Sequence, residues 1–184
     1  MKDCKFFDRY DYDLYKEYVS FQLKKVLKEK EITASQLATV SNLGLSSIYR
    51  YLDGSHLPTL RAGCNMAYGL GVSPTYLFCP NDFAKFGFCY PKESYKEELS
   101  VWPRVLAPVK YNWLKNSAKN LTWLAQHYGL SKRAVSMHTG IPQPAVSRYF
   151  NASREPSLEN ALELLWLFDG RFEDIWYYGV LIGE

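Results

Sequence analysis

The four cysteines of this 184-residue chain, Cys4, Cys64, Cys79 and Cys89, form no Cys-x-x-Cys pair, and His56, His127 and His138 lie far from them along the chain. That spacing suggests no metal site and no cofactor. A glycine-rich phosphate loop and a nucleophile motif are also missing, which argues against an enzyme. Asp169, Glu173 and Asp174 resemble paired carboxylates, but acids near a helix start usually just complement its dipole. No apolar run approaches the roughly 20 residues needed to cross a bilayer, so no membrane partner is expected. The opening stretch MKDCKFFDRYDYDLYKEY is charged and aromatic, unlike the apolar core of a secretion signal. With its thiols unpaired, the protein is expected to stay in the reducing cytoplasm.

Net charge says little: 22 basic against 19 acidic residues leave only +3. Its distribution says more. No acid occurs from Asn112 to Arg154, a stretch that holds Lys115, Lys119, Lys132, Arg133, Arg148 and Arg154, whereas Glu155 to Glu184 holds seven acids and only Arg171. One face or end of that half should be electropositive. The competing reading is that the segregation reflects solvated surfaces.

The sequence also repeats itself. Residues 147–158 read SRYFNASREPSL, and 98 positions earlier residues 49–60 read YRYLDGSHLPTL. Both strings share Arg-Tyr, a large apolar residue, Asp or Asn, a Ser two residues on, then Pro, Thr or Ser, and Leu. Two small domains therefore suit the length better than one large one, with boundaries expected at 1–78 and 112–184 around a connector at 79–111.

The same element order is predicted in each half. In the first, Tyr15, Tyr18, Val19, Leu23, Val26 and Leu27 recur at helical spacing, giving a helix over about Asp13 to Lys30 with a lysine-rich outer side. Thr33 caps ASQLATVS, and Asn42 takes the left-handed conformation that ends it. The next helix, about Leu45 to Leu52, should bury Ile48 and Leu52 and stop at Asp53-Gly54. Thr59 caps a helix carrying Leu60, Cys64, Ala67 and Leu70. Gly71 then breaks the chain, and Ser73-Pro74 starts a fifth. In the second half, Leu114, Ala118, Leu121, Ala125 and Tyr128 mark the first helix, Ser131 caps KRAVSMHT, and Gly140 stands where Asn42 did. A helix beginning around Pro142 to Pro144 turns Val146 and Phe150 inward and ends near Asn151-Ala152. Ser157 caps LENALELLWLF, and Phe172, Ile175 and Trp176 sit on a last segment. The expected class is all-α. The connector holds Phe83, Phe86, Phe88, Tyr90, Tyr95, Trp102 and Tyr111, too aromatic for a flexible linker, so it should pack, with a helix over Glu93 to Val101.

A capped short helix, an Asn or Gly turn, an apolar residue and a second short helix make up the helix-turn-helix, whose second helix can enter a DNA major groove. Ala38 and Ser136 are small where the helices must approach, Leu37 and Val135 face the core, Leu43 and Ile141 follow the turn, and Ile48 and Val146 anchor the second helix. Together with the five-helix order and the trailing Pro-Ser/Thr-Leu, the chain resembles the lambda-repressor-like, Cro/repressor (XRE) family twice over, across about Asp13 to Phe78 and Trp113 to Trp176. The resemblance implies two tandem five-helix domains and a double-stranded DNA partner. It places base-reading side chains at Leu45, Ser46, Tyr49 and Arg50 in the first copy and Gln143, Ala145, Ser147 and Arg148 in the second. Gln143 suits adenine and Arg148 guanine or a phosphate. Phosphate contacts are implied at Ser131, Lys132, Arg133 and Arg154, and at Thr33, Ser35, His56 and Arg61, with Lys24, Lys25 and Lys28 as further candidates. Gly44 and Pro142 depart from the usual Ser or Thr cap of the reading helix, and Leu45 offers a methyl contact rather than a hydrogen bond. Tyr51 and Tyr149 read as packing residues, His127 and His138 as structural or exposed polar groups.

The function this implies is a sequence-specific transcriptional regulator, a repressor of phage or bacterial type occupying an asymmetric operator. Family members usually dimerise to set two reading helices about 34 Å apart, and two linked copies supply that pair in one chain. A homodimer through the apolar tail IWYYGVLI would lengthen the site and make it palindromic. The rival is a protein-binding module built on the same scaffold, such as a phage-encoded inhibitor of bacterial defence of the anti-CRISPR type that also represses its own promoter. The 16% aromatic content favours it, because exposed Tyr and Trp serve as interface anchors.

Overall fold

Asp11 opens the first helix by accepting hydrogen bonds on its carboxylate from the amides of Asp13 and Leu14, at 2.9 and 3.1 Å. The helix, α1, runs Tyr12–Glu29. The computed structural model describes Lys5, Phe7 and residues 11–79 and 113–176, and among these every regular element is helical. They fall into two units. One spans Tyr10–Leu106, and the other joins Met1–Arg9 to Ala107–Glu184. The expected connector beyond Cys79, with its helix over Glu93 to Val101, and the apolar tail beyond Trp176 lie outside the described residues.

In the first unit α1 is followed by α2 (Ala34–Ser41), α3 (Leu45–Leu52), α4 (Leu60–Leu70) and α5 (Pro74–Phe78). Local chemistry sets each boundary. Thr33 and Gln36 form a reciprocal capping box at the head of α2, and Asn42, at φ 54, ends it. The Thr59 hydroxyl caps α4 by accepting the Ala62 amide, and Gly71, at φ 61, stops it. Pro74 occupies the first turn of α5, where a missing N–H costs nothing. The buried faces then meet: α1 lies against α3 and α5, and α2 against α3 and α4. Tyr15, Val19, Leu23, Leu37, Ile48, Leu60, Met66, Leu77 and Phe78 fill the centre. Each large aliphatic side chain so buried contributes about 1.5–3 kcal/mol. Two tyrosine hydroxyls pin the end of α5 to α1, Tyr15 donating to the Phe78 carbonyl at 2.7 Å and Tyr18 to that of Cys79 at 2.8 Å. Gly63 is required by close approach, since a Cβ there would lie 2.9 Å from two ring carbons of Phe78. Leu52, expected to be buried, is only half-buried.

The second unit contains α6 (Trp113–His127), α7 (Lys132–Thr139), α8 (Gln143–Phe150), α9 (Leu158–Phe168) and α10 (Phe172–Trp176). Ser131 caps α7 by accepting the Ala134 amide, and Ser157 caps α9 by accepting that of Asn160. The apolar α9 runs through the core, with Ala161, Leu162, Leu164 and Leu165 fully buried. α6 packs on α8 and α10, and α7 on α8 and α9. Tyr128, expected on the first helix's apolar stripe, falls just past the end of α6 and is exposed.

Helices α2 to α5 begin and end 98 residues before α7 to α10, and α1 ends 98 residues before α6. The residues with positive φ pair at the same offset: Glu31 with Gly129, Asn42 with Gly140, Gly54 with Ala152, and Gly71 with Asp169. Side-chain locks repeat too. Ser55 Oγ donates to the Arg50 carbonyl and Ser153 Oγ to that of Arg148, both at 3.2 Å.

Candidate nucleic-acid interface

A helix can be presented to DNA only if one face is anchored and the other left clean. In α8 the anchors are Val146, Tyr149 and Phe150, all buried. Tyr149 is fixed further by its hydroxyl, which accepts a hydrogen bond from Asn160 Nδ2 at 2.8 Å. Gln143 and Arg148 are exposed, and Ala145 and Ser147 are half-buried beside them. Pro142 precedes the helix without a capping side-chain bond, which leaves its first-turn amides uncapped by a side chain.

Around α8 the expected cations take different roles. Arg133 and Arg154 are exposed. Among the described residues no carboxylate lies within ion-pair distance of Arg50, Arg133, Arg148 or Arg154. Lys132, also exposed, is engaged within the unit, its Nζ donating to Asn151 Oδ1 at 3.1 Å and standing 5.7 Å from the centre of the Phe150 ring. It links the start of α7 to the end of α8. The Ser131 hydroxyl accepts the Ala134 amide as a cap. Lys115 and Lys119 flank an open groove of about 410 Å³ floored by Ala118, Thr122 and Phe150.

The first unit presents a different face. On α3, Ile48 alone is fully buried. Leu45, Ser46, Tyr49 and Arg50 are exposed, with Leu45 at 40% and Tyr49 at 56%. Where α8 offers Gln143 and Ser147, α3 thus offers an isobutyl group and a phenol ring. Thr33 and Ser35 are exposed at the head of α2, the Thr33 hydroxyl being engaged in its capping box. Arg61 is exposed on the first turn of α4, and Lys24, Lys25 and Lys28 line the outer side of α1. His56 follows α3, its amide donating to the Arg50 carbonyl and its Nδ1 standing 3.0 Å from Ser55 Oγ. Two ionisations shift here. Hydrogen bonds from Ser55 hold the Asp53 carboxyl below its usual range, and burial pushes the Tyr51 phenol up.

Two features escaped the sequence reading. Lys132 meets Asn151 across 19 residues, a pairing no local pattern reveals. Trp123 stacks on His127 with ring centres 5.2 Å apart and planes 9° from parallel, and His127 meets Tyr128 edge-on. The four-residue spacing of Trp123 and His127 on one helix was the available signal.

No helix among the described residues is long and apolar enough to cross a membrane. No curated protein and no solved structure matches the chain. A family match exists for one region, from Leu121 within α6 to residue 174 within α10, and it encloses the capped α7, the Gly140 turn and the outward-facing α8. Residues 121–174 of the second unit thus match the helix-turn-helix family, which supports a DNA-binding regulator of that general kind.

Proposed function

We propose that the chain carries two copies of one helix-turn-helix unit and acts as a sequence-specific transcriptional repressor, occupying an operator whose major groove is read by α3 and α8. The observation that carries this reading is the clean outer face of α8. Gln143 and Arg148 are exposed without an intramolecular hydrogen bond or ion pair from either side chain among the described residues, within a stretch from Asn112 to Arg154 that contains no acid. An amide and a guanidinium at five-residue spacing can each make a bidentate base contact, worth about 1–3 kcal/mol of discrimination. Arg133 and Arg154 supply phosphate contacts that position the helix without reading sequence. The agreement of helix boundaries and positive-φ positions at an offset of 98 residues supports the second copy. Because Leu45 and Tyr49 stand where Gln143 and Ser147 stand, the two half-sites differ: α3 would favour thymine methyls and α8 a hydrogen-bonding edge.

The test is selection of bound sequences from random duplex DNA, followed by affinity at several salt concentrations. An enriched asymmetric motif bound with a steep salt slope is expected. No enrichment, or affinity independent of salt, would discard the proposal.

A second reading has its own support. Trp123 is 53% exposed, and Leu14 and Phe21, seven residues apart on α1, are each 65% exposed. Aromatic and aliphatic groups held in solvent suit a protein partner. On that reading the scaffold grips a protein, as an inhibitor of bacterial defence would, and substitution of Trp123 would abolish partner binding while leaving any DNA affinity intact.

A further inference from the structure

Helix α1 has two unlike faces. Tyr15, Val19, Leu23 and Val26 are buried in the core of the first unit. On the opposite side Leu14, Glu17, Phe21, Lys24 and Lys28 follow one another at steps of three, four, three and four residues, and all five are exposed. That spacing draws a straight stripe along a helix, the seam by which one helix packs on another. Leu14 and Phe21 stand on it at 65% exposure each.

The charges on the stripe are divided about Phe21. Glu17 lies on its N-terminal side, and Lys24 and Lys28 on its C-terminal side. Neighbouring charges are taken up within the helix, Asp13 by Lys16 at 2.7 Å and Glu29 by Lys25 at 3.9 Å. Among the described residues Glu17 and Lys28 have no ion pair. Such a stripe complements itself when two helices run antiparallel. With Phe21 against Phe21 of a second chain, a rise of about 1.5 Å per residue puts Glu17 roughly 6 Å from the crossing point and Lys24 of the second chain roughly 4.5 Å from it on the same side. Leu14 then meets the methylene stem of Lys28. A parallel pair would instead set Glu17 against Glu17 and Lys24 against Lys24.

The repeat supplies a contrast. In α6 the corresponding stripe has Lys115 for Glu17, Lys119 for Phe21, Thr122 for Lys24 and Gln126 for Lys28. Two such helices would bring lysine against lysine, so the self-complementary pattern belongs to α1.

We propose that the outward stripe of α1 is a self-association surface, on which Leu14 and Phe21 of two copies of this chain pack antiparallel while Glu17 and Lys24 pair across the two-fold axis. A two-fold axis gives both chains the same patch, which makes the contact closed. It rests on α1 alone and stands apart from whether α3 and α8 read DNA.

Sedimentation of the full chain without DNA tests this. The unmodified protein should pass from monomer to dimer as its concentration rises. Phe21→Asp leaves the buried face untouched, so it should melt as the parent does and stay monomeric. Glu17→Lys turns two symmetric attractions into repulsions and should weaken the dimer by about tenfold. Adding Lys24→Glu to that chain should restore it. An unmodified protein that is monomeric up to about 0.1 mM overturns the proposal and returns Leu14 and Phe21 to a different protein partner. A dimer that survives Phe21→Asp also overturns it, because the chains would then be held elsewhere. Should Phe21→Asp fail to fold, the charge exchange decides: a Glu17→Lys dimer as tight as the parent's, or no recovery with Lys24→Glu, refutes the antiparallel pairing.

Discussion

Replacing Gln143 or Arg148 by alanine should separate binding from folding. Both side chains are exposed and make no intramolecular hydrogen bond or ion pair among the described residues. Each substitution should therefore change stability by no more than about 0.5 kcal/mol. If each side chain makes a base contact, its loss costs about 1–3 kcal/mol of affinity for the preferred duplex. At about 1.4 kcal/mol per tenfold, that is roughly a 5- to 150-fold weaker Kd. Phe150, two residues further along the same helix, is 7% exposed and supplies the contrast. Its replacement by alanine should remove about 3–5 kcal/mol of stability. The assay pairs fluorescence-anisotropy titrations on the selected duplex and a scrambled one with calorimetric melting. A base-reading Arg148 loses affinity mainly on the selected duplex. A phosphate-binding one loses it equally on both and lowers the salt slope by about one. If both alanine variants melt normally and bind the selected duplex as tightly as the parent, α8 is not the reading helix.

Other consequences concern the scaffold. Gly63→Ala puts a methyl 2.9 Å from the Phe78 ring, which is fully buried, so thermal unfolding should show a loss of about 1–3 kcal/mol; an unchanged Tm would mean the ring moves freely. Ala152 sits at φ 57, and 98 residues earlier the first unit has Gly54 at φ 76. Relief of a left-handed cost of about 1–2 kcal/mol outweighs glycine's unfolded-state entropy of about 0.4–1, so Ala152→Gly should stabilise by roughly 0.5–1 kcal/mol, and a lower Tm would refute this. The depressed Asp53 carboxyl stabilises the fold above its ordinary value of 3.8, and that contribution is lost as pH falls through its folded value. The Ser55 amide shift should titrate with a midpoint below 3.8, and a midpoint at or above it would show that the Ser55 bonds do not hold in solution.

Where a residue's role depends on its near neighbours in sequence, it was legible. Thr33, Thr59, Ser131 and Ser157 all cap as expected, because a cap needs only a hydroxyl two or three residues before a free amide. Asn42 and Gly140 end their helices because few residues tolerate positive φ. Asp11 was missed as the cap of α1, since the apolar periodicity begins only at Tyr15 and gives no sign of the polar turn before it. Tyr128 was assigned to a stripe that Gly129, at φ 65, cuts short. Of the candidate interface, the positions on α3 and α8 came from the family resemblance; Leu45, Ser46, Tyr49, Arg50, Gln143 and Arg148 are exposed, and Ala145 and Ser147 are half-buried. What spacing could not convey was which cations are tied down. Lys132 reads like Arg133 in the sequence, yet it is bound to Asn151, whereas Arg133 has no carboxylate partner among the described residues.

Within the unit that joins Met1–Arg9 to Ala107–Glu184, the Phe7 amide donates to Glu163 Oε1 at 3.2 Å, across 156 residues. On a ribosome, Phe7 emerges long before Glu163 exists, so the first five-helix unit has time to form. Closing so long a loop is slow compared with assembling either helical unit from local contacts. That contact therefore cannot form until Glu163 has been translated, well after the helices of the first unit are complete.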